Sequence, residues 1–437
     1  MTRTPWAALT ALSAALLIGA CGGGGEQTSR ELPPARAVDT TGCSPITYEG
    51  KGRPELLVGV STILAGQFRE HGIQISQALR MVLDDRDWHA GDFNVGLQIC
   101  GETTPAGDAP DPKLCRRTAH AFARNRSVVA VLGQHFSSCA TESIPILNRA
   151  AGGAVPQVSV SATYLGLTRG GPGVPRGDPA RFYPSGTRSF ARLVPPDDVS
   201  GAAAAIFAKQ QGAHRVYALD DGQSFGFGVA EAFAEAARRI GLRVAGREQW
   251  NPKAHDYQRL AERVHASGAD AVYLGGYIFS NGPRLIKDLR AALGPSAQLM
   301  GPDAFNDLDA LVEGAGAAAE GFAPLIAVLP NDKLPEPGRE FADRFDERFG
   351  SRPCCFSVHA AQAGRMMLDA IAASDGSRHQ VLDHLFSTPV DDGYVGNFSI
   401  DRYGDTTLRT MGVYKVQDGR LRFQAAITPP ADLLPRR

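Results

Sequence analysis

The sequence predicts an α/β protein built as two lobes, each a parallel sheet with helices on both faces. Three observations carry this expectation. The chain has 437 residues, enough for more than one domain. From residue 54 onward, short β-branched runs alternate with amphipathic stretches, the pattern of βα units around parallel strands. The alternation breaks at Arg169-Gly170-Gly171-Pro172-Gly173-Val174-Pro175-Arg176-Gly177, which reads as a surface loop, and then restarts.

Taken in order, 55–60 reads as a strand and 71–86 as a helix whose Ile75, Ala78, Leu79, Val82 and Leu83 share one face. Residues 94–99 read as a strand, 112–124 as a helix, 128–132 as a strand, 140–150 as a helix and 155–160 as a strand. After the break, 200–211 is predicted helical, 215–220 extended, 228–240 helical, 243–248 extended and 256–267 helical. A strand at 271–275, a helix at 281–293 and a strand at 297–300 complete the second series. The last segment differs: 394–400, 407–416 and 421–424 read as strands, the latter two around the turn Asp418-Gly419.

Composition narrows the function classes. Lys+Arg is 45 against Asp+Glu 46, a net charge of −1, so no basic excess points to nucleic acid or to an anionic membrane surface. Hydrophobic content of 43% and charged content of 21% describe an ordinary globular chain, and exclude collagen-like, coiled-coil and polytopic membrane classes. The 49 glycines and 29 prolines imply many loops.

Residues 1–20 read as a targeting signal: Arg3 is the positive start, and 6–18 is an apolar run too short to span a bilayer as a mature helix. It ends in Leu17-Ile18-Gly19-Ala20-Cys21, where small residues before a cysteine resemble a bacterial lipobox. Cys21 is therefore the expected lipidation site, and 21–53 the expected tether or linker. The location that follows is extracytoplasmic, anchored to the cell membrane by a lipid on Cys21. Setting Cys21 aside leaves Cys43, Cys100, Cys115, Cys139, Cys354 and Cys355, an even number suited to disulfides in an oxidising compartment. A pair among Cys100, Cys115 and Cys139 is expected from their closeness in the chain, and the full pairing stays open. No C-x-x-C or H-E-x-x-H spacing occurs, so no metal is expected. No P-loop and no helix-opening G-x-G-x-x-G occur, so no cofactor is expected.

Open α/β sheets bind ligands at the carboxyl ends of their strands, which directs attention to those loops. In Gly133-Gln134-His135-Phe136-Ser137-Ser138-Cys139, Ser137 and Ser138 stand where helix N-caps stand; hydroxyls and free N–H groups there suit an anion such as a carboxylate. Ser159-Val160-Ser161-Ala162-Thr163 offers the same chemistry at a second strand end. Phe225 and Tyr277 lie at strand tips beside glycines and could wall a pocket. Asp303, after Met300-Gly301-Pro302, could bind an ammonium group. A rival motif is Gly222-Gln223-Ser224-Phe225-Gly226, which matches the G-x-S-x-G elbow of serine hydrolases, with His359, His379 and His384 downstream. No H-G-G-G-like oxyanion loop accompanies it, and a complete βα series precedes it, so no enzyme is expected and Ser224 hydrolysis is kept only as an alternative.

These loops in this order resemble the type I periplasmic solute-binding proteins, specifically the leucine/isoleucine/valine-binding branch of ABC importers. The likeness runs from 54 to 426. It is carried by Leu57-Val58-Gly59-Val60 with Leu64-Ala65-Gly66, by Phe190-Ala191-Arg192-Leu193-Val194-Pro195-Pro196-Asp197, by His255-Asp256-Tyr257 with Gly268-Ala269-Asp270-Ala271-Val272-Tyr273, and by Gly396-Asn397-Phe398-Ser399-Ile400-Asp401 with Gly404-Asp405. The resemblance implies two Rossmann-like lobes with parallel central sheets joined by a three-crossover hinge, near 193–196, 325–329 and 394–396. The N-terminal lobe would be 54–193 plus 329–394, and the C-terminal lobe 196–325 plus 396–430. It implies that Ser137 binds a ligand α-carboxylate, that Ala162 and Thr163 bind both ends of an amino-acid backbone, that Asp303 binds the α-ammonium, and that Phe225 and Tyr277 close over the ligand. His71 stands where many members carry Tyr, which would make the side-chain pocket more polar. Phe136 stands where some members carry a disulfide Cys, and the loop 169–187 looks long enough to shape the cleft rim.

The function this implies is a substrate-binding lipoprotein of an ABC importer that closes on an amino acid of branched-chain type or a related small polar compound. Its partners would be that ligand, permease subunits and the membrane through the lipid, with no nucleic acid, and the protein would be a monomer. A ligand-sensing lipoprotein with no transporter is the alternative that keeps the same fold.

Overall fold

The computed structural model describes residues 32–105 and 107–434. The targeting signal at 1–20 and Cys21 lie outside the described residues.

The first series runs β1 (Leu56–Thr62), α1 (Arg69–Asp84), β2 (His89–Ala90), β3 (Phe93–Gly101), α2 (Pro112–Arg124), β4 (Val128–Leu132), α3 (Ser137–Asn148), β5 (Gln157–Ser159) and β6 (Phe190–Arg192). Its strands form one sheet in the order β2-β3-β1-β4-β5-β6, parallel except for the β2–β3 pair. β1 is buried at every position, as a parallel strand covered on both faces must be. Leu57 joins a core with Phe122 of α2 and Leu147 of α3. Gly59 is a glycine because a Cβ there would lie 2.9 Å from the Phe122 ring.

The second series runs α4 (Asp197–Gln210), β7 (Arg215–Asp220), α5 (Ser224–Arg239), β8 (Arg243–Gln249), α6 (Gln258–Ala266), β9 (Ala271–Gly275), α7 (Gly282–Leu293), β10 (Gln298–Gly301), α8 (Leu308–Ala315) and β11 (Ala323–Ile326). The chain then forms α9 (Glu336–Phe349), α10 (Ser357–Ala372) and α11 (Arg378–Ser387), and ends in the hairpin β12 (Met411–Gln417) and β13 (Arg420–Ile427). The second sheet has the order β13-β12-β11-β10-β9-β7-β8, with β12 antiparallel to both neighbours. Asp418 (φ 52°) and Gly419 (φ 67°) are both left-handed, the two-residue hairpin turn that Asp-Gly favours.

Sequence reading assigned no element between 301 and 393. α10 explains part of this: most of its residues are buried, so it shows no polar stripe. β11 has four residues, and its partners β10 and β12 are distant in sequence. Two expectations need correction. Residues 394–400 are not a strand; only the isolated bridges Val390–Phe398 and Ile400–Thr406 occur there. The expected tether 21–53 is not free along its described part. Val38 is buried and donates to Gln98 Oε1 at 2.7 Å, Thr47 pairs with Leu97, and Cys43 is disulfide-bonded to Cys100 of β3.

The chain passes between the sheets three times. β6 hands over to α4, and β11 hands back to α9 and α10, the latter packed on α1. The third passage falls later than 394–396. Asp405 still bridges Arg192 of β6, so the chain leaves the first sheet at 406–410. The insertion after β5 is anchored at its ends, with Leu167, Phe182 and Tyr183 packed on Ala140 and Ile144 of α3, while its exposed middle reaches α5, where a Cβ at Gly173 would lie 3.0 Å from Gly228 and Glu231.

Candidate functional site

The carboxyl ends of β1, β4 and β5 in the first sheet meet those of β7, β9 and β10 in the second. Between them lies a cavity with about 420 Å³ of empty space including its mouth. From the first lobe it is lined by Phe68 and His71 at the start of α1, by His135, Phe136 and Ser137 at the start of α3, and by Ser161 and Thr163 after β5. From the second come Phe225 at the start of α5, Tyr277 after β9, and Asp303, Ala304 and Asn306 after β10. Phe356, just before α10, completes the wall.

The polar groups divide by charge. Phe136 is the N-cap of α3, so Ser137 and Ser138 are its first helical residues rather than caps. The first N–H groups of a helix have no intrahelical acceptor and favour an anion. The Ser137 hydroxyl accepts the Tyr164 N–H at 3.1 Å, which leaves its own hydrogen to donate. Behind this helix start, buried Glu102 accepts the N–H groups of His135 (2.8 Å) and Phe136 (3.0 Å) and the Ser61 hydroxyl (2.9 Å). Burial pushes the Glu102 carboxyl up to about 7 against those three bonds. Across the cavity, burial pushes the Asp303 carboxyl up to about 7, with the Ala304 N–H opposing. Burial also holds His71 down at about 4 and His135 at about 3, the latter helped by His71, so both imidazoles are neutral at pH 7. One end of the cavity is a donor set and the other carries the acid, the arrangement that suits a zwitterion.

The apolar wall is assembled across the cleft. Tyr277 stacks on Phe279 at 4.8 Å and tilts against Phe225 at 4.9 Å. Phe136 of the first lobe meets Tyr277 at 5.8 Å, and Phe68 meets Phe279 at 6.1 Å. Asp221 fixes the Tyr277 loop by accepting the Tyr277 N–H (3.1 Å) and the Ser280 hydroxyl (2.8 Å).

The structure therefore brings together His71, Ser137, Ser161, Thr163, Phe225, Tyr277 and Asp303. It leaves Ser138 and Ala162 off the cavity wall. The Ala162 N–H already donates to Ser159 Oγ at 2.9 Å, and its carbonyl accepts Arg192 Nη1 at 3.1 Å. Sequence reading missed Phe68, His135, Phe136, Ala304, Asn306 and Phe356; the first five lie on strand-end loops and are within reach of the same rule. Glu102, the residue after β3, is too. The G-x-S-x-G match has a packing origin. A Cβ at Gly226 would lie 2.2 Å from Asp221 Oδ1 and 2.6 Å from the Gly275 carbonyl, so helix α5 needs glycine to approach β9. Ser224 is exposed, and among the described residues no histidine or carboxylate is bonded to its hydroxyl. No cluster of three metal-ligand side chains occurs among the described residues.

A buried ionic network ties the cavity to the hinge. Asp405 accepts Arg192 Nε at 2.8 Å and Arg169 Nε at 2.5 Å. Arg169 reaches on to Asp198 of α4 at 3.2 Å, and Arg192 Nη1 to the Tyr164 carbonyl at 2.9 Å.

Comparison with known proteins places the fold among solute-binding proteins. An amino acid binding protein of Pseudomonas aeruginosa is 24% identical over 336 residues, 75% of this chain and 83% of that one. A Leu/Ile/Val-binding protein of Rhizobium johnstonii is 23% identical over 375 residues, 84% and 93% of the two chains. The crystal structure of a leucine binding protein from Thermotoga maritima superposes with a TM-score of 0.72 at 21% identity, covering 86% of this chain and 99% of that one. A solute binding protein of R. palustris in complex with benzoate has a TM-score of 0.66 at 16% identity, with 86% and 96% covered. The profile of the periplasmic binding protein family matches residues 55–420, and the chain belongs to that family: it is a solute-binding protein and not an enzyme.

Proposed function

We propose that this protein is the substrate-binding lipoprotein of an ABC importer, held outside the cytoplasm by a lipid on Cys21, and that it captures an amino acid by closing its two lobes. One observation carries the reading: a single cavity takes hydroxyls and a helix start from one lobe and a carboxylate with two rings from the other. Ser137, Ser161 and Thr163 hold the α-carboxylate. Asp303 holds the α-ammonium, and Phe225, Tyr277 and His71 surround the side chain. A ligand that touches both lobes binds the closed state better than the open one, and by that difference shifts the population toward closure. The lobes are 54–193 plus 329–405 and 196–325 plus 411–430, with the third passage at 406–410. The closed monomer is the form a permease recognises. The name of the Rhizobium johnstonii relative, a Leu/Ile/Val-binding protein, supports an aliphatic amino acid, and the ring-rich wall suits an apolar side chain.

The test is a thermal-shift and calorimetric screen of the chain from residue 30 onward against α-amino acids, their amides and aromatic carboxylates. A ligand at about a hundred times its Kd stabilises by about 2.7 kcal/mol. Asp303→Asn is expected to weaken the binding of any α-amino acid by about 1.5–3 kcal/mol, the worth of a hydrogen bond to a charged group. If no α-amino acid shifts the transition, or the variant binds as tightly, the assigned polarity of the cavity is wrong.

A further inference from the structure

Cys354 and Cys355 take part in nothing described above. They lie in the turn entering α10, with the sulfur of exposed Cys354 2.7 Å from that of half-buried Cys355. Adjacent side chains on an extended chain point to opposite sides. Here they converge because Cys355 is left-handed, at φ 56°, a conformation uncommon for a residue with a Cβ. The turn is held from outside. The Cys354 N–H donates to Gln74 Oε1 of α1 at 2.7 Å, and Asn331 Nδ2 donates to the Pro353 carbonyl at 3.1 Å. The Ser357 hydroxyl donates to the Cys354 carbonyl at 2.6 Å. The next residue, Phe356, lines the cavity with its ring 6.0 Å from that of His135.

We infer that Cys354 and Cys355 form a redox-active pair that closes to a vicinal disulfide, a modification site adjoining Phe356 of the ligand-cavity wall. The oxidant is a small disulfide of the glutathione class. The exposed Cys354 thiolate attacks one sulfur of that disulfide and expels a thiolate, leaving a mixed disulfide. The Cys355 thiolate then attacks Cys354 Sγ and expels the second thiolate. The two cysteine protons end on the two released thiols, so two protein thiols are oxidised and one disulfide is reduced. The hydrogen bond between the two thiols holds Cys354 below its ordinary value and, with burial, pushes Cys355 well above its own, so Cys354 is the attacker and Cys355 the slower, resolving thiol. Cys43–Cys100 and Cys115–Cys139 are already disulfides, consistent with an oxidising compartment. The closed eight-membered ring contains the Cys354–Cys355 peptide bond, and its second residue is joined directly to Phe356, so closure restricts the backbone that leads into that part of the wall.

The test needs no ligand. The mature chain is incubated with oxidised or reduced glutathione, alkylated with iodoacetamide in the native state, and digested for mass spectrometry. After oxidation the peptide containing both cysteines should be unalkylated and lighter by two hydrogens; after reduction both should be alkylated. Cys355→Ser should trap glutathione on Cys354. Alkylation of both thiols after oxidation, or glutathione persisting on the unaltered chain, would overturn ring closure. Amide hydrogen exchange at 356–360 should be slower in the oxidised form; equal rates would sever the pair from the cavity wall.

Discussion

Asp405 receives two guanidinium groups while wholly buried, and both come from segments that touch the ligand cavity or the hinge. Burial pushes its carboxyl up, yet Arg192 and Arg169 together hold it below the usual carboxylate range. Removing one partner of a buried ion pair leaves an uncompensated charge and costs about 3–5 kcal/mol. Asp405→Asn keeps the shape and removes the charge, so urea unfolding should show a loss of that size. A midpoint within error of the unaltered protein would mean the arginines find other partners. Both Arg192 and Asp405 stood in motifs quoted from the sequence, but their contact did not. They are 213 residues apart, and nothing local records that pairing. Ser137 and Asp303 were legible because strand-end position is a local property. Phe356 was not, since it sits before a helix with no polar stripe.

α3 presents its N-terminus to the cavity, and Cys139 in its first turn is bonded to Cys115 of α2. The bond closes a loop of 24 residues, worth about 3 kcal/mol by the entropy it removes from the unfolded chain. Cys115→Ser with Cys139→Ser should lower the unfolding free energy by about that amount while leaving far-ultraviolet circular dichroism unchanged. A loss well under 1 kcal/mol would show that α3 is held by packing alone. Helix α2 was read from the sequence with its ends correct, because Asp111 caps it and Pro112 opens it. The start of α3 was placed three residues late. No side chain caps it; the backbone before it is fixed instead by Glu102 from another element.

For the whole molecule, buried acids and buried histidines oppose each other. Burial raises Glu102 and Asp303 to about 7 and Asp197 to about 8, while His71, His135 and His359 fall to about 4, 3 and 4. A raised acid binds more protons folded than unfolded, so acidification through its folded value stabilises the fold. A depressed histidine binds more protons unfolded, so acidification below about 6.5 destabilises. The ligand-free protein should therefore gain stability from about pH 8 down to about 6.5 and then level off, because below that the three depressed histidines offset the three raised acids. Thermal unfolding across that range checks this; a stability that rises steadily with pH would show that the three carboxyls are ionised without cost. An ammonium beside Asp303 would favour its charged form, so amino-acid affinity should fall on the acid side of about pH 7.

The two βα series, the strand-end loops that carry the cavity's polar groups, and the Asp-Gly hairpin are all written in local periodicity or turn chemistry, and so were legible without the fold. It took long-range contacts to show that β11, β12 and β13 complete the second sheet and that residues 35–53 are stapled to the first. The tertiary structure alone decided where the third passage falls and which rings face each other across the cleft. Those features depend on contacts between segments far apart in the chain, whose energy comes from burial and pairing that no short window of residues contains.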